Sequence, residues 1–140
     1  MQQKLLQFAF LVAMIPLLVS IGLASHTALP SKSATPQFET RCGWFSNPTP
    51  GNVWLNDRDG EWIIGIQGGY QTEGDWPWPD FKKGQWVRTN AGSYGYGCAC
   101  LQVRVDKGTN RVLEIKAARP RPLAACRKEP ALRKSERSFK

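Results

Sequence analysis

Four cysteines constrain this chain more than any other feature. Two of them, Cys98 and Cys100, stand a single residue apart in YGYGCACLQV, with Cys42 and Cys126 far to either side. Side chains alternate along an extended strand, so Cys98 and Cys100 project to one face of a sheet together with Gln102 and Arg104, while Leu101, Val103 and Val105 take the other. The thiols therefore point away from the main core. Their expected partners are segments that cross behind the sheet, Cys42 at the domain's start and Cys126 near its end. Two pairings satisfy this, and the spacing does not choose between them. A direct Cys98–Cys100 bond is set aside, because α-carbons two apart on a strand lie about 6.6 Å from each other, at the edge of disulfide geometry. Closing loops of about 57 and about 29 residues is worth at most about 4 kcal/mol each, a large share of a small domain's stability.

The N-terminus says where such bonds would form. Lys4 supplies a positive start, Leu5 to Leu23 is apolar apart from Gln7 and Ser20, and Gly22-Leu23-Ala24 offers small residues for cleavage. This predicts a secretory signal peptide over residues 1–24 and an exported protein, periplasmic or secreted. The competing reading is a retained membrane anchor, since an apolar run of about 19 residues can span a bilayer. Pro16, which interrupts the run, favours cleavage. An oxidising destination favours structural disulfides over a four-thiolate zinc site. A redox-active C-x-C would need a helix start or a cation to acidify one thiol, and the flanking YGYG and LQV supply neither.

Residues 25–40 carry Pro30, Pro36, Ser31, Ser33 and Thr35 with only Phe38 as a large apolar residue, and read as a flexible tether. A single domain is expected over 41–132, followed by a basic tail at 133–140. Within the domain the signals are β. Asp59-Gly60 predicts a type I′ hairpin turn, with Arg58 facing Glu61, Asp57 facing Trp62, Leu55 opposite Ile64, Val53 opposite Ile66, and Trp54 over Gly65 on the other face. A second hairpin is expected to turn over Asp106 to Asn110, pairing Val103 with Leu113 and Leu101 with Ile115. No periodic apolar stripe is long enough to demand a helix. The expected fold is mostly β, a small disulfide-stapled antiparallel barrel or compact sandwich built from hairpins.

All six tryptophans, at positions 44, 54, 62, 76, 78 and 86, fall in the central part of the chain. Large rings fill the core of a short chain at low entropic cost, which suits Trp44, Trp54, Trp62 and Trp86. Trp76-Pro77-Trp78-Pro79 differs, because proline on both sides of Trp78 denies it sheet pairing and makes it a stiff surface loop. Trp54, Arg58, Trp76, Trp78 and Asp80 are the exposed candidates for binding. Asp75 and Asp80 flank the tryptophan loop as paired carboxylates of glycoside hydrolysis would, but a domain of about 100 residues seldom encloses the deep cleft this needs.

Charge is unevenly divided. Arg111 to Lys140 holds ten Lys or Arg against Glu114, Glu129 and Glu136, Ser25 to Asn110 is neutral, and Asp57 to Asp80 has six acids against Arg58. A solvated basic end is expected after Leu132, with at most weak contact with anionic lipid, and nucleic-acid binding has no recognition pattern behind it. Asn56, Asp57, Asp59 and Glu61 offer oxygens for calcium, but the EF-hand spacing is absent and turn chemistry accounts for Asp59-Gly60. The single histidine, His26, lies in the tether, where nothing orients it for base catalysis or metal binding. No catalytic residue, metal ligand or cofactor is expected.

The strings RCGWFSNPTPGN, DRDGEW, QGGYQTEGDWP and YGYGCACL, with PLAACRKEPAL at the end, resemble a family of small exported bacterial proteins known only as a domain of unknown function. The resemblance covers Arg41 to about Leu132. It implies a bacterial source, an envelope or secreted location and paired cysteines, and brings no activity with it. The expected role is a non-catalytic binding module of the cell envelope, with a protein or a glycan as partner. The alternatives are a small hydrolase using acidic residues and a purely structural envelope protein.

Overall fold

The computed structural model describes residues 37–139. The expected signal segment and the tether up to residue 36 lie outside the described residues, while Glu39 and Thr40, assigned above to the tether, already belong to the first strand. Six strands follow one another: β1 Glu39–Thr49, β2 Asn52–Asp57, β3 Gly60–Gly65, β4 Trp86–Arg88, β5 Gly95–Asp106 and β6 Arg111–Arg121. They form one mostly antiparallel sheet that closes in a ring. β1 lies between β2 and β5, β2 pairs with β3 and β5 with β6, and a parallel contact of Ile63 with Arg111 joins β3 to β6. The short β4 and the long β6 share one edge of β5, β4 against Gly95–Gly97 and β6 from Cys98 onward.

Both expected hairpins exist, with different registers. In the first, the turn residues are Arg58 and Asp59, and the Asp57 carboxylate accepts the backbone N–H groups of Asp59 at 2.8 Å and Gly60 at 3.2 Å. Asp57 therefore faces Gly60, Leu55 faces Trp62 and Trp54 faces Ile63. The slip is two residues, which preserves the faces. Val53, Leu55 and Ile64 stay buried, Trp62 joins them, and Ile66, expected inside, lies past the end of β3 and is exposed. In the second hairpin the Asp106 side chain caps a shorter loop, accepting from Gly108 N–H and the Thr109 hydroxyl. Bulges in β6 then shift the pairing further, so that Val103 faces Ile115 and Leu101 faces Ala118. A bulge adds a residue to one strand and re-aims its side chains, and no local sequence rule announced these.

Two apolar layers result. Phe45, Val53, Leu55, Trp62, Ile64, Ala99, Leu101, Val103, Val105, Val112 and Ile115 fill the inside of the ring. Trp44, Tyr96, Cys98, Cys126 and Leu132 form a second cluster. The alternation of β1 and β5 places Trp44, Tyr96 and Cys98 on the outer face, opposite Phe45 and Ala99.

Cys98 bonds Cys126 and Cys42 bonds Cys100. Cys126 does cross behind the sheet, as expected. Cys42 does not, because β1 is the direct neighbour of β5 and sets Cys42 opposite Cys100 within the sheet.

The cover over the outer cluster is helical: α1 Leu123–Lys128, α2 Pro130–Ser135 and a 3₁₀ turn at Glu136–Phe139. Helices of six residues are too short to write a periodic stripe, so the sequence pattern missed them. Residues 133–139, within the stretch expected as a solvated end, fold back onto the sheet. Glu136 is buried, Phe139 packs against Tyr96 at 5.1 Å, and the Trp44 indole donates to the Leu132 carbonyl at 2.9 Å. Apolar residues spaced among the charges decide this, since Leu132 and Phe139 find a waiting aromatic surface.

Candidate functional site

The chain between β3 and β4 brings an aromatic cluster to one end of the ring. Pro77 and Pro79 hold this stretch out of the sheet. Trp76 and Trp78 stack with ring centres 5.3 Å apart, Trp78 meets the edge of Phe45 at 4.9 Å, and Phe81 lies 4.8 Å from Trp86. Gly97 in YGYG makes room for this cluster, since a β-carbon there would stand 2.5 Å from the Phe81 ring. The Trp86 indole donates to the Ser93 carbonyl at 3.0 Å, which fixes its plane.

Trp78 is 48% exposed, with Phe81 and Trp86 half-buried beside it. The cleft they line encloses about 490 Å³ and adds Asn47, Pro79, Asp80 and Ser93. Asp80 is exposed and ion-paired with Lys82. An exposed indole braced by other rings, with an amide and a carboxylate at its rim, presents one flat apolar face and several hydrogen-bonding groups.

The five sequence candidates do not form one site. Trp78 and Asp80 share this cleft, and Trp76 supports Trp78 from behind, packed against the inner core. Trp54 is half-buried and lines a different cleft with Glu61, Tyr96 and Phe139. Arg58 projects from the first hairpin turn into a third, among Glu39, Asp57 and Asp59. Asp75 and Asp80 do not converge. Asp75 instead lies with Glu73, Glu114, Tyr70, Trp76 and Arg104 around a cleft of about 660 Å³. Phe81, Trp86, Asn47 and Ser93 were not foreseen at the aromatic cleft. The glycines of YGYG were the available signal, because glycine within a strand marks a close approach.

Two partly buried ion-pair networks lie elsewhere on the domain. Arg41 donates to Asp57 at 2.6 Å, Glu39 at 2.7 Å and Asp59 at 3.0 Å, and its guanidinium lies 3.9 Å from the centre of the Trp62 ring. Burial opposes its charge, but the hydrogen bonds to Asp57, Glu39 and Asp59 outweigh this and hold its pKa above the usual arginine value. Two of the oxygens considered for calcium are thus committed to a guanidinium. The Tyr96 hydroxyl donates to Glu136 at 3.1 Å, and Arg127 clamps the same carboxylate at 2.7 Å. Burial, and then the Glu136 charge, push the phenol's pKa up.

Fold and site together define a mostly β domain whose sheet closes in a ring, stapled by two disulfides and bearing an aromatic cleft at one end. The chain belongs to the family described as Protein of unknown function (DUF4087), which matches residues 36–133. No curated protein and no solved structure matches it. Two disulfides are compatible with an oxidising location, and among the described residues no helix is long and apolar enough to cross a membrane.

Proposed function

We propose that this is an exported, non-catalytic binding module of the bacterial envelope, and that its ligand is a glycan taken by the aromatic cleft. The observation that carries the reading is Trp78, a half-exposed indole stacked on Trp76 and flanked by Phe81, Trp86, Asn47 and Asp80. Sugar rings present apolar C–H faces that lie on indoles and hydroxyls that bond to amides and carboxylates. The bracing matters because a ring already fixed by its neighbours loses little entropy when a ligand stacks on it. Export is supported by the two disulfides together with the apolar N-terminus.

Trp78→Ala is the appropriate test. Trp76 packs against the core, so its removal would confound binding with stability. The oxidised protein should be retained on insoluble envelope glycan, and Trp78→Ala should lose that retention while its thermal midpoint moves by less than about 4 °C. Retention unaffected by the substitution would refute the reading.

A second reading, a small hydrolase, draws on the placement of Glu73, Asp75 and Glu114 around one cleft beside Trp76. It predicts release of reducing ends from the retained glycan. Binding without such release supports the module.

A further inference from the structure

The outer face of β1, β5 and β6 carries a second, chemically different cleft. Thr40 faces Gln102, which faces Ala117, and in the next row Cys42 faces Cys100, which faces Arg119. Arg121 follows opposite Cys98. These rows bound a cleft of about 430 Å³ whose lining contains Arg119 and Arg121 and no carboxylate. Arg41, Arg104 and Arg127 are each paired with acids, whereas the guanidinium groups of Arg119 and Arg121 make no ion pair or hydrogen bond among the described residues. Lys116 stands in the strand stretch where a bulge shifts the β5–β6 register, and its ammonium lies 5.6 Å from the Phe38 ring centre.

We propose that this cleft binds a phosphoryl group, held by Arg119 and Arg121 with Gln102 and Thr40. Two guanidiniums on alternate residues of one strand project to the same side about 6.6 Å apart at their α-carbons, close enough for both forks to reach one anion. A single fork saturates the two oxygens of a carboxylate. Two forks, an amide and a hydroxyl call for an anion with three free oxygens and up to two charges, which a phosphomonoester supplies. The disulfide beneath keeps β1 and β5 in fixed register, so Thr40 and the arginines hold their relative positions. The source of the phosphoryl group is either a free sugar or polyol phosphate or an anionic lipid headgroup. The site does not rest on the glycan reading, because it lies on the outer face and uses none of the aromatic residues.

Glycerol 3-phosphate, and phosphatidylcholine vesicles with and without phosphatidic acid, are the probes. Titration of the oxidised full chain, followed by NMR shifts of the Arg119 and Arg121 amides, should saturate with glycerol 3-phosphate and not with glycerol or acetate. Arg119→Gln and Arg121→Gln should each weaken binding about tenfold or more. Lys134→Gln, an exposed cation on α2, should not, and neither should Trp78→Ala. Capture by phosphatidic acid vesicles alone, with the same arginine dependence, assigns the phosphoryl group to a lipid headgroup. Failure of both probes, equal weakening by all three charge variants, or acetate binding as tight as phosphate overturns the proposal.

Discussion

Tyr96 ties the C-terminal cover to the sheet through one hydroxyl, and its titration reports on that tie. Its pKa is raised in the folded protein by burial first and by Glu136 second. The unfolded chain releases the phenolic proton from about pH 10, the folded chain only above that. The folded state therefore binds the proton more tightly, so the stability gained is complete below the unfolded value and disappears as pH rises through the folded one. Unfolding free energy should fall above about pH 10, and Tyr96→Phe should remove that part of the fall at a cost of about 1 kcal/mol at neutral pH. Denaturant curves at several pH values check this, and an unchanged alkaline slope in the variant would contradict it. No local pattern announces this pairing. Tyr96 and Glu136 are 40 residues apart, and only the return of the chain end onto β5 brings them together.

The two disulfides join different kinds of element and should open in order. Cys42 is exposed at the surface of β1, while Cys98 and Cys126 are each 2% exposed beneath the helices. Thiol–disulfide exchange requires access to a sulfur. Mild reduction should therefore open Cys42–Cys100 first and leave Cys98–Cys126 intact until the cover detaches, which peptide mapping after timed alkylation would reveal. Simultaneous loss of both would mean that the cover opens as readily as the surface. The strand that carries Cys98 and Cys100 was legible from alternation alone, and so was their shared face. The partner of each was not, because pairing depends on which strand lies beside β5. That neighbour is β1, chosen by closure of the ring and not by any local preference.

For the molecule as a whole, the family match ends at residue 133, yet the cover continues through Phe139. A chain truncated after Arg133 should keep the ring and both disulfides but lose the Phe139–Tyr96 contact and the Glu136 carboxylate. We expect it to fold with about 2 kcal/mol less stability, measured by chemical denaturation, and to bind a hydrophobic dye at the uncovered Tyr96. An unchanged denaturation midpoint would show that the last residues contribute nothing. The expected binding residues are likewise dispersed by the closed sheet. Trp54, Arg58 and Trp78 are all accessible, but closing the sheet turns their strands and loops toward different sides.

Properties that act within a few residues could be read from the letters: two hairpins, the alternation that gives each strand an apolar face, the prolines that free the Trp78 loop, and cysteines numerous enough for two bonds. Properties that depend on segments far apart were fixed only by folding. Among these are the hairpin registers, altered by side-chain caps and by bulges, the Cys42–Cys100 and Cys98–Cys126 partners, the helical cover, and the meeting of Phe45, Phe81 and Trp86 around Trp78. The division is physical. Strand alternation and turn chemistry are set by neighbouring residues, whereas a neighbour across a closed sheet is chosen by the packing of all the strands at once.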